Sequence, residues 1–195
     1  MIRVALLDDH PAVLVGLTSL LEHTPEIGVV AAAHDEVALA RALGGLRPDV
    51  LIVDYDPARG DTLALCRRIK ARPHPARVLI YSAYASERLA IAARVVQADG
   101  MLDKAVEAST LIEAIKQIAR GGRVFPDLSR DALVDAASDV DEADLPVLMM
   151  RLDGEPIPAI ASTLRADEHD ITRRLDRLVA RVRPRLVPHE ALWSG

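Results

Sequence analysis

Residues 50–54 read Val-Leu-Ile-Val-Asp. Four apolar, mostly β-branched residues running straight into a lone carboxylate describe a buried parallel strand that ends in a reactive group. The residues on either side repeat this grammar. Ile2–Leu7 is an apolar run of strand length that ends in the acid pair Asp8 and Asp9, and Pro11 then opens a helix whose Val13, Leu14, Leu17, Leu20 and Leu21 share one stripe. Residues 27–33 form a second strand, and residues 37–46 have helical period until Gly44, Gly45 and Pro48 close them. Residues 78–81 make a fourth strand with Ser82 just past its end, and residues 100–102 a short fifth with Lys104 just past its end. Helical periods over 63–70, 87–96 and 111–118 fill the gaps. Such alternation requires right-handed crossovers, which predicts an α/β fold: a doubly wound, five-stranded parallel sheet covered on both faces.

Composition sets the outer bounds. The chain has 195 residues, of which 50% are hydrophobic and 27% charged, enough for one ordinary domain and a small second one. The first apolar run is cut short by Asp8 and Asp9, and no later run reaches the ~20 apolar residues that span a bilayer, so a cytoplasmic protein without membrane contact is expected. Cys66 is the only cysteine and lies in a stretch of helical period, where a small buried residue is the plain reading. The six histidines are scattered without metal-ligand spacing.

In a sheet of this kind ligands bind outside the carboxyl ends of the strands, and Asp8, Asp9, Asp54, Ser82 and Lys104 each sit at or just past such an end. Three carboxylates on one edge repel one another unless a hard divalent cation binds them, and Mg2+ prefers such oxygen ligands together with water and phosphate. A carboxylate also serves as a nucleophile towards phosphorus when a metal and an ammonium neutralise the transferring group. Asp54 is the nucleophile on this reading, and Lys104 the ammonium.

This ordered set of acid pair, Asp, hydroxyl and lysine resembles the receiver domain of bacterial two-component response regulators over residues 1–122, and implies a flavodoxin-like fold. The resemblance implies that Asp8 and Asp9 bind Mg2+, that Asp54 takes a phosphoryl group from a histidine kinase, and that Ser82 and Lys104 contact the phosphate. It also implies the Asp56 backbone carbonyl as a metal ligand. This chain departs from the family at three places. Met101 stands where an aromatic residue is usual, Ala105 replaces the proline after the lysine, and Tyr55, Asp56, Pro57, Ala58, Arg59 and Gly60 replace the usual loop.

Beyond Gly122 and Pro126 the strand signals stop. Residues 123–140 read as a linker with one short helix, and 147–152, 158–164 and 168–182 as three helices, with Gly154 turning the first and Asp167 capping the third. In the third, Ile171, Leu175, Leu178 and Val182 make an apolar stripe, and Arg174, Arg177 and Arg181 a basic one. The spacing of Gly154, Ile160, Ala161, Leu164, Asp167 and Ile171 resembles the helix-turn-helix domain of LuxR-type regulators, which places a small all-α domain over 141–195. That resemblance makes 168–182 a recognition helix, with Thr172, Arg173, Arg174, Arg177 and Arg181 facing double-stranded DNA. Residues 171–187 carry six Arg against Asp176, whereas 127–195 as a whole carry nine Arg and fourteen acids.

The combined expectation is a DNA-binding response regulator of a two-component system, phosphorylated on Asp54, in which phosphorylation either frees the output domains or pairs them as a homodimer, and which turns over no external metabolite. Two variants of the same architecture stand beside it: a phosphorylation-independent regulator, and a receiver whose output domain binds protein instead of DNA. A reading from another class takes Asp54 and Asp56 as the nucleophile and acid of a haloacid-dehalogenase-type phosphatase.

Overall fold

Each strand is one of those short apolar runs, and a computed structural model that describes residues 1–57 and 61–184 assembles them into a single sheet. The strands are β1 (Ile2–Leu7), β2 (Ile27–Ala33), β3 (Val50–Val53), β4 (Arg77–Ser82) and β5 (Gly100–Asp103), paired in parallel in the order β2-β1-β3-β4-β5. Leu7 lies opposite Val53, and Val53 opposite Ile80, so β1 and β3 finish level and β4 runs two residues further. The five-stranded expectation holds, with the last two strands longer than read. Ser82 lies inside β4, where its partner across the ladder is Asp103.

Five helices wrap the sheet: α1 (Pro11–Glu22), α2 (Glu36–Leu43), α3 (Thr62–Lys70), α4 (Glu87–Val95) and α5 (Ala108–Ala119). Their starts follow the sequence. Asp35, Asp61 and Ser86 each accept a backbone N–H of the first turn of α2, α3 and α4, at 2.7, 3.0 and 3.2 Å. The second helix stops at Leu43, earlier than its apolar period suggests, because Gly44 turns left-handed at φ 50° and closes it. One face of the sheet is sealed by Leu17 and Leu21 of α1 with Leu111, Ile115 and Ile118 of α5. The opposite face packs on α2, α3 and α4, and Cys66 is fully buried there with its thiol pushed up to about 12 by loss of solvent, so it stays a neutral packing residue.

The C-terminal part is helical, as read, but its attachment is closer than a linker suggests. Val124 adds to the free edge of β5, with Met101 N donating to Val124 O at 2.8 Å and Val124 N to Asp99 O at 3.0 Å. Helix α6 (Arg130–Ser138) then lies against α4, tied there by the Ser129 hydroxyl, which donates to Glu87 at 3.1 Å. After a 3₁₀ turn at Glu142–Asp144 come α7 (Leu145–Leu152), α8 (Ile157–Leu164) and α9 (Glu168–Val182). Pro146 falls in the first turn of α7, where no helical N–H is lost, and Asp167 caps α9 by accepting from His169 N and Asp170 N at 2.7 and 3.0 Å. Pro188 and Trp193 lie outside the described residues.

Helix α4 is where the two parts meet. Its Leu89, Ala90, Ile91, Ala92, Ala93 and Val95 are all buried, because the sheet covers one side and α6, α7 and α9 cover the other. A helix apolar on most of its circumference is a buried helix. The junction is held by a buried arginine of α7: Arg151 donates Nε and Nη2 to Val95 O at 3.0 and 2.8 Å, and Nη1 to Glu155 O at 3.1 Å. Loss of solvent, then the nearby Arg67 and Arg123, pull its pKa down to about 10, so it remains charged at neutral pH. Carbonyls at the end of a helix carry the negative pole of its dipole, and Val95 O is one of these. From the other side Arg88 of α4 reaches Arg181 O and Arg183 O at 2.7 and 3.1 Å and pairs with Asp139. No helix among the described residues is long and apolar enough to cross a membrane.

Replacing Arg151 leaves the buried Val95 carbonyl without the two guanidinium donors it has here. Arg151→Ala is therefore expected to lower the unfolding free energy by about 2–3 kcal/mol, read from the urea midpoint, and to speed amide exchange in the last turn of α4. An unchanged midpoint would show that the C-terminal helices are not anchored through this residue.

Candidate functional site

The backbone fixes the acids before any side chain is considered. Asp8 N donates to Ala33 O at 3.1 Å and Asp54 N to Leu7 O at 2.8 Å, so both residues extend the ladder by one step beyond β1 and β3. Lys104 N donates to Ser82 O at 3.0 Å, which does the same for the end of β5. Strand register thus carries three side chains from three crossovers to one point. There the Lys104 ammonium lies 2.6 Å from Asp8 Oδ2 and 3.0 Å from Asp54 Oδ1. Side-chain exposure is 4% for Asp8, 10% for Asp54 and 17% for Lys104, so these charges sit mostly out of water.

Burial raises the Asp54 carboxyl above the ordinary aspartate value; the Lys104 hydrogen bond and charge pull it back, while Asp8 and Asp9 push it up further. Burial also works against the Lys104 ammonium, but the hydrogen bonds and charges of Asp8 and Asp54 outweigh it and hold its pKa above the ordinary lysine value. The lysine therefore stays protonated while facing two carboxylates, the arrangement that steadies a phosphoryl group bearing spread negative charge.

The structure brings Asp8, Asp9 and Asp54 together as the sequence predicts, and adds a residue that spacing alone did not flag. Donor atoms of Asp8, Asp9, His10 and Asp54 all lie within 4.8 Å of one another. The group fits a divalent cation: hard carboxylate oxygens dominate, and two of the acids are desolvated and in need of positive charge. Asp56 lines the same cleft of about 260 Å³ as Asp9 and Asp54. The Thr62 hydroxyl donates to Asp54 O at 3.0 Å and steadies the strand end from the far side. Ala58, Arg59 and Gly60 of the altered loop lie outside the described residues.

Ser82 is fully buried, and its hydroxyl is engaged with the neighbouring loop rather than with Asp54. Its Oγ donates to Tyr55 O at 2.6 Å and accepts from Tyr84 N at 3.0 Å. Met101, at the position where the family usually has an aromatic residue, is buried in β5.

The arginines of α9 sort into two sets. Arg173, Arg177 and Arg181 are 60, 52 and 46% exposed and follow one another at i+4, with His169 beginning the same ridge. Arg174 points inward at 15% exposure to Asp144, and Thr172 turns its hydroxyl to Glu168 O at 2.8 Å. Every arginine of the ridge is also within reach of an acid of the same region. Arg177 is 3.3 Å from Asp144, Arg181 is 3.1 Å from Asp141, and Arg173 is 3.1 Å from Asp170.

Comparison with known proteins places this geometry. Residues 4–116 match the family model described as the response regulator receiver domain. The DNA-binding transcriptional activator DevR/DosR of Mycobacterium tuberculosis (strain ATCC 25618 / H37Rv) is 27% identical over 192 residues, covering 93% of this chain and 88% of its own. A LuxR-family two-component response regulator from Aurantimonas sp. SI85-9A1 is similar in structure at a TM-score of 0.57 and 30% identity, over 70% of this chain and 96% of that one. A structure of two RcsB dimers bound to two parallel DNAs shares the fold at a TM-score of 0.59 and 23% identity, over 95% and 94% of the two chains. With the family model covering more than half its length and the acid and lysine side chains meeting at one sheet edge, this chain belongs to the response regulators, as a receiver domain followed by a C-terminal helical region.

Proposed function

We propose that the chain is a phosphorylation-responsive transcription regulator in which Asp54 accepts a phosphoryl group from a histidine kinase and the C-terminal helices bind double-stranded DNA. The observation that carries the reading is the Lys104 ammonium held between Asp8 and Asp54 at the carboxyl edge of the sheet. In the transfer an Asp54 oxygen forms the new bond to phosphorus as the bond to the kinase imidazole breaks, and the departing imidazole takes up a proton. Lys104 stays beside the transferring group. A magnesium ion on Asp8, Asp9, Asp54 and the Asp56 backbone carbonyl supplies further neutralisation of the phosphoryl oxygens when bound. Ser82 is the third participant: its hydroxyl exchanges Tyr55 O for a phosphoryl oxygen.

That exchange is how we connect the site to the output. Ser82 also accepts from Tyr84 N, and Ser86 two residues on caps α4, the helix that α6, α7 and α9 cover. Adding charge at Asp54 therefore biases the segment on which the C-terminal helices rest. On this reading residues 1–122 receive, 123–140 connect and 141–195 act, with Arg173, Arg177 and Arg181 as phosphate contacts and a homodimer as the DNA-bound form. The DNA-binding activity of DevR/DosR supports the assignment. The phosphatase reading is weaker, since it leaves the acid pair Asp8 and Asp9 without a task.

A second reading has its own support. Arg174 and Arg177 share Asp144, and Arg181 takes Asp141, so the basic ridge is largely neutralised from within its own region. An output of that kind suits a protein partner.

Two measurements test these assignments. With an acyl-phosphate donor and Mg2+, wild type is expected to take up one phosphoryl group, Asp54→Asn none, and Lys104→Ala at a rate lower by on the order of 100-fold; label persisting in Asp54→Asn would refute the assignment. The pair Arg173→Ala and Arg177→Ala is expected to weaken binding to all DNA sequences alike and to flatten the slope of log K against log salt by about 1 per arginine. An unchanged slope would remove the ridge from the DNA interface and favour the protein-binding output.

A further inference from the structure

The early end of α2 opens a groove beside α3. Gly44 and Gly45 take φ of 50° and 93°, which turns the chain out of α2 and back through Leu46, Arg47 and Pro48 to β3. After α3 the chain returns to β4 through Arg72, Pro73, His74, Pro75 and Ala76. Both returns line a groove of about 450 Å³ between the two helices. That volume lies within the ~300–1,000 Å³ usual for sites that take small organic ligands.

The floor is aliphatic, with Leu39 and Leu43 of α2, Leu51 of β3, and Leu65 and Ile69 of α3. Leu46 lines the groove too and is left 55% exposed, although Leu46 N is tied to Leu43 O at 2.6 Å. Pro73 and Pro75 stiffen the second return, and His74 between them is held at φ 52°. A non-glycine residue rarely adopts that left-handed conformation, and such strained positions gather at ligand clamps.

The polar part of the lining is charged and unbalanced. Glu36, its one acid, is already paired with Arg68. Arg47 and Arg72 line the groove as well, and among the described residues neither side chain has an ion pair or a hydrogen bond. Two free guanidiniums beside an aliphatic floor suit a molecule with a carboxylate at one end and hydrocarbon behind it. No hydroxyl or amide side chain lines the groove, so hydroxyl groups along the hydrocarbon would lose water without finding such a partner. Glu36 and Leu65 also line the cleft at Asp54, where Asp8, Asp9 and Asp56 repel a carboxylate; charge therefore directs such a molecule to the groove and away from the phosphoacceptor.

We propose that this groove binds an unbranched aliphatic carboxylate, a free fatty acid of medium length. Its chain lies on Leu39, Leu43, Leu65 and Ile69, and its carboxylate is taken by Arg47 and Arg72. Burial of the chain supplies affinity, and the guanidinium–carboxylate pairing supplies direction. The proposal is independent of the phosphorylation chemistry above.

The test is calorimetric titration of the full-length protein with decanoate, below the concentration at which it forms micelles, and with decanol as the uncharged probe. Wild type is expected to bind decanoate saturably at a single site and more tightly than decanol. Replacing both arginines, Arg47→Gln with Arg72→Gln, is expected to weaken decanoate on the order of tenfold and to change decanol by less than about twofold. Leu46→Glu, at an exposed position where the fold tolerates a charge, is expected to weaken both probes and to leave the urea midpoint unchanged. Absence of binding, uptake that does not saturate, equal affinity for decanoate and decanol, or decanoate binding indifferent to the arginine pair would each overturn the proposal.

Discussion

Two carboxylates with little exposure to water cannot share one sheet edge unless a positive charge lies between them, and the ammonium of Lys104 meets that need across Asp8 and Asp54. The remaining features of the receiver part serve this contact. Parallel register brings β1 and β3 out at one level with β5 running two residues further, and the crossover helices start beyond the strand ends, leaving the edge open. The same contact defines the chemistry. A carboxylate that gives up solvent but keeps an ammonium neighbour is prepared for an electrophile whose charge the ammonium also stabilises.

The second constraint lies at helix α4. Helix α4 has no solvent-facing apolar surface left over, because the C-terminal helices complete its burial, and a charged arginine is taken out of water to seal the join. A buried charge held only by carbonyls is costly to form and costly to break. It fixes one docking geometry for α7, and through α7 for α9. The apolar stripe of α9, with Ile171, Leu175, Leu178 and Val182, is shared between its own helical region and α4, which leaves the ridge of Arg173, Arg177 and Arg181 as its outward side.

Much of this was legible in the residues. Apolar runs ending in acids located the strands and the site, and the helical periods located eight of the nine α-helices among the described residues, because each signal is local: a side-chain alternation, a cap or a closing glycine. What escaped was non-local. The continuous apolar character of Leu89 to Val95 could have shown that α4 is covered on two sides, but which helices cover it depends on the return of the chain at α6, α7 and α9. Arg151 reads as an ordinary last-turn cation until the Val95 carbonyl is seen above it. The 123–140 stretch has the composition of a connector, and only the edge bridge at Val124 and the packing of α6 show that it is docked. His10 escaped for a different reason, since a search for histidine spacing misses a ring whose neighbours are aspartates.

The account makes α4 the joint between phosphoacceptor and output, and amide hydrogen exchange followed by mass spectrometry, with and without Mg2+ and beryllofluoride, examines that joint directly. The account predicts faster exchange in α4 and α9 when the acyl-phosphate mimic is bound, and no change in Asp54→Asn. Faster exchange around Asp54 with α4 and α9 untouched would contradict it, because the site would then be occupied without reaching the helices it is held to control.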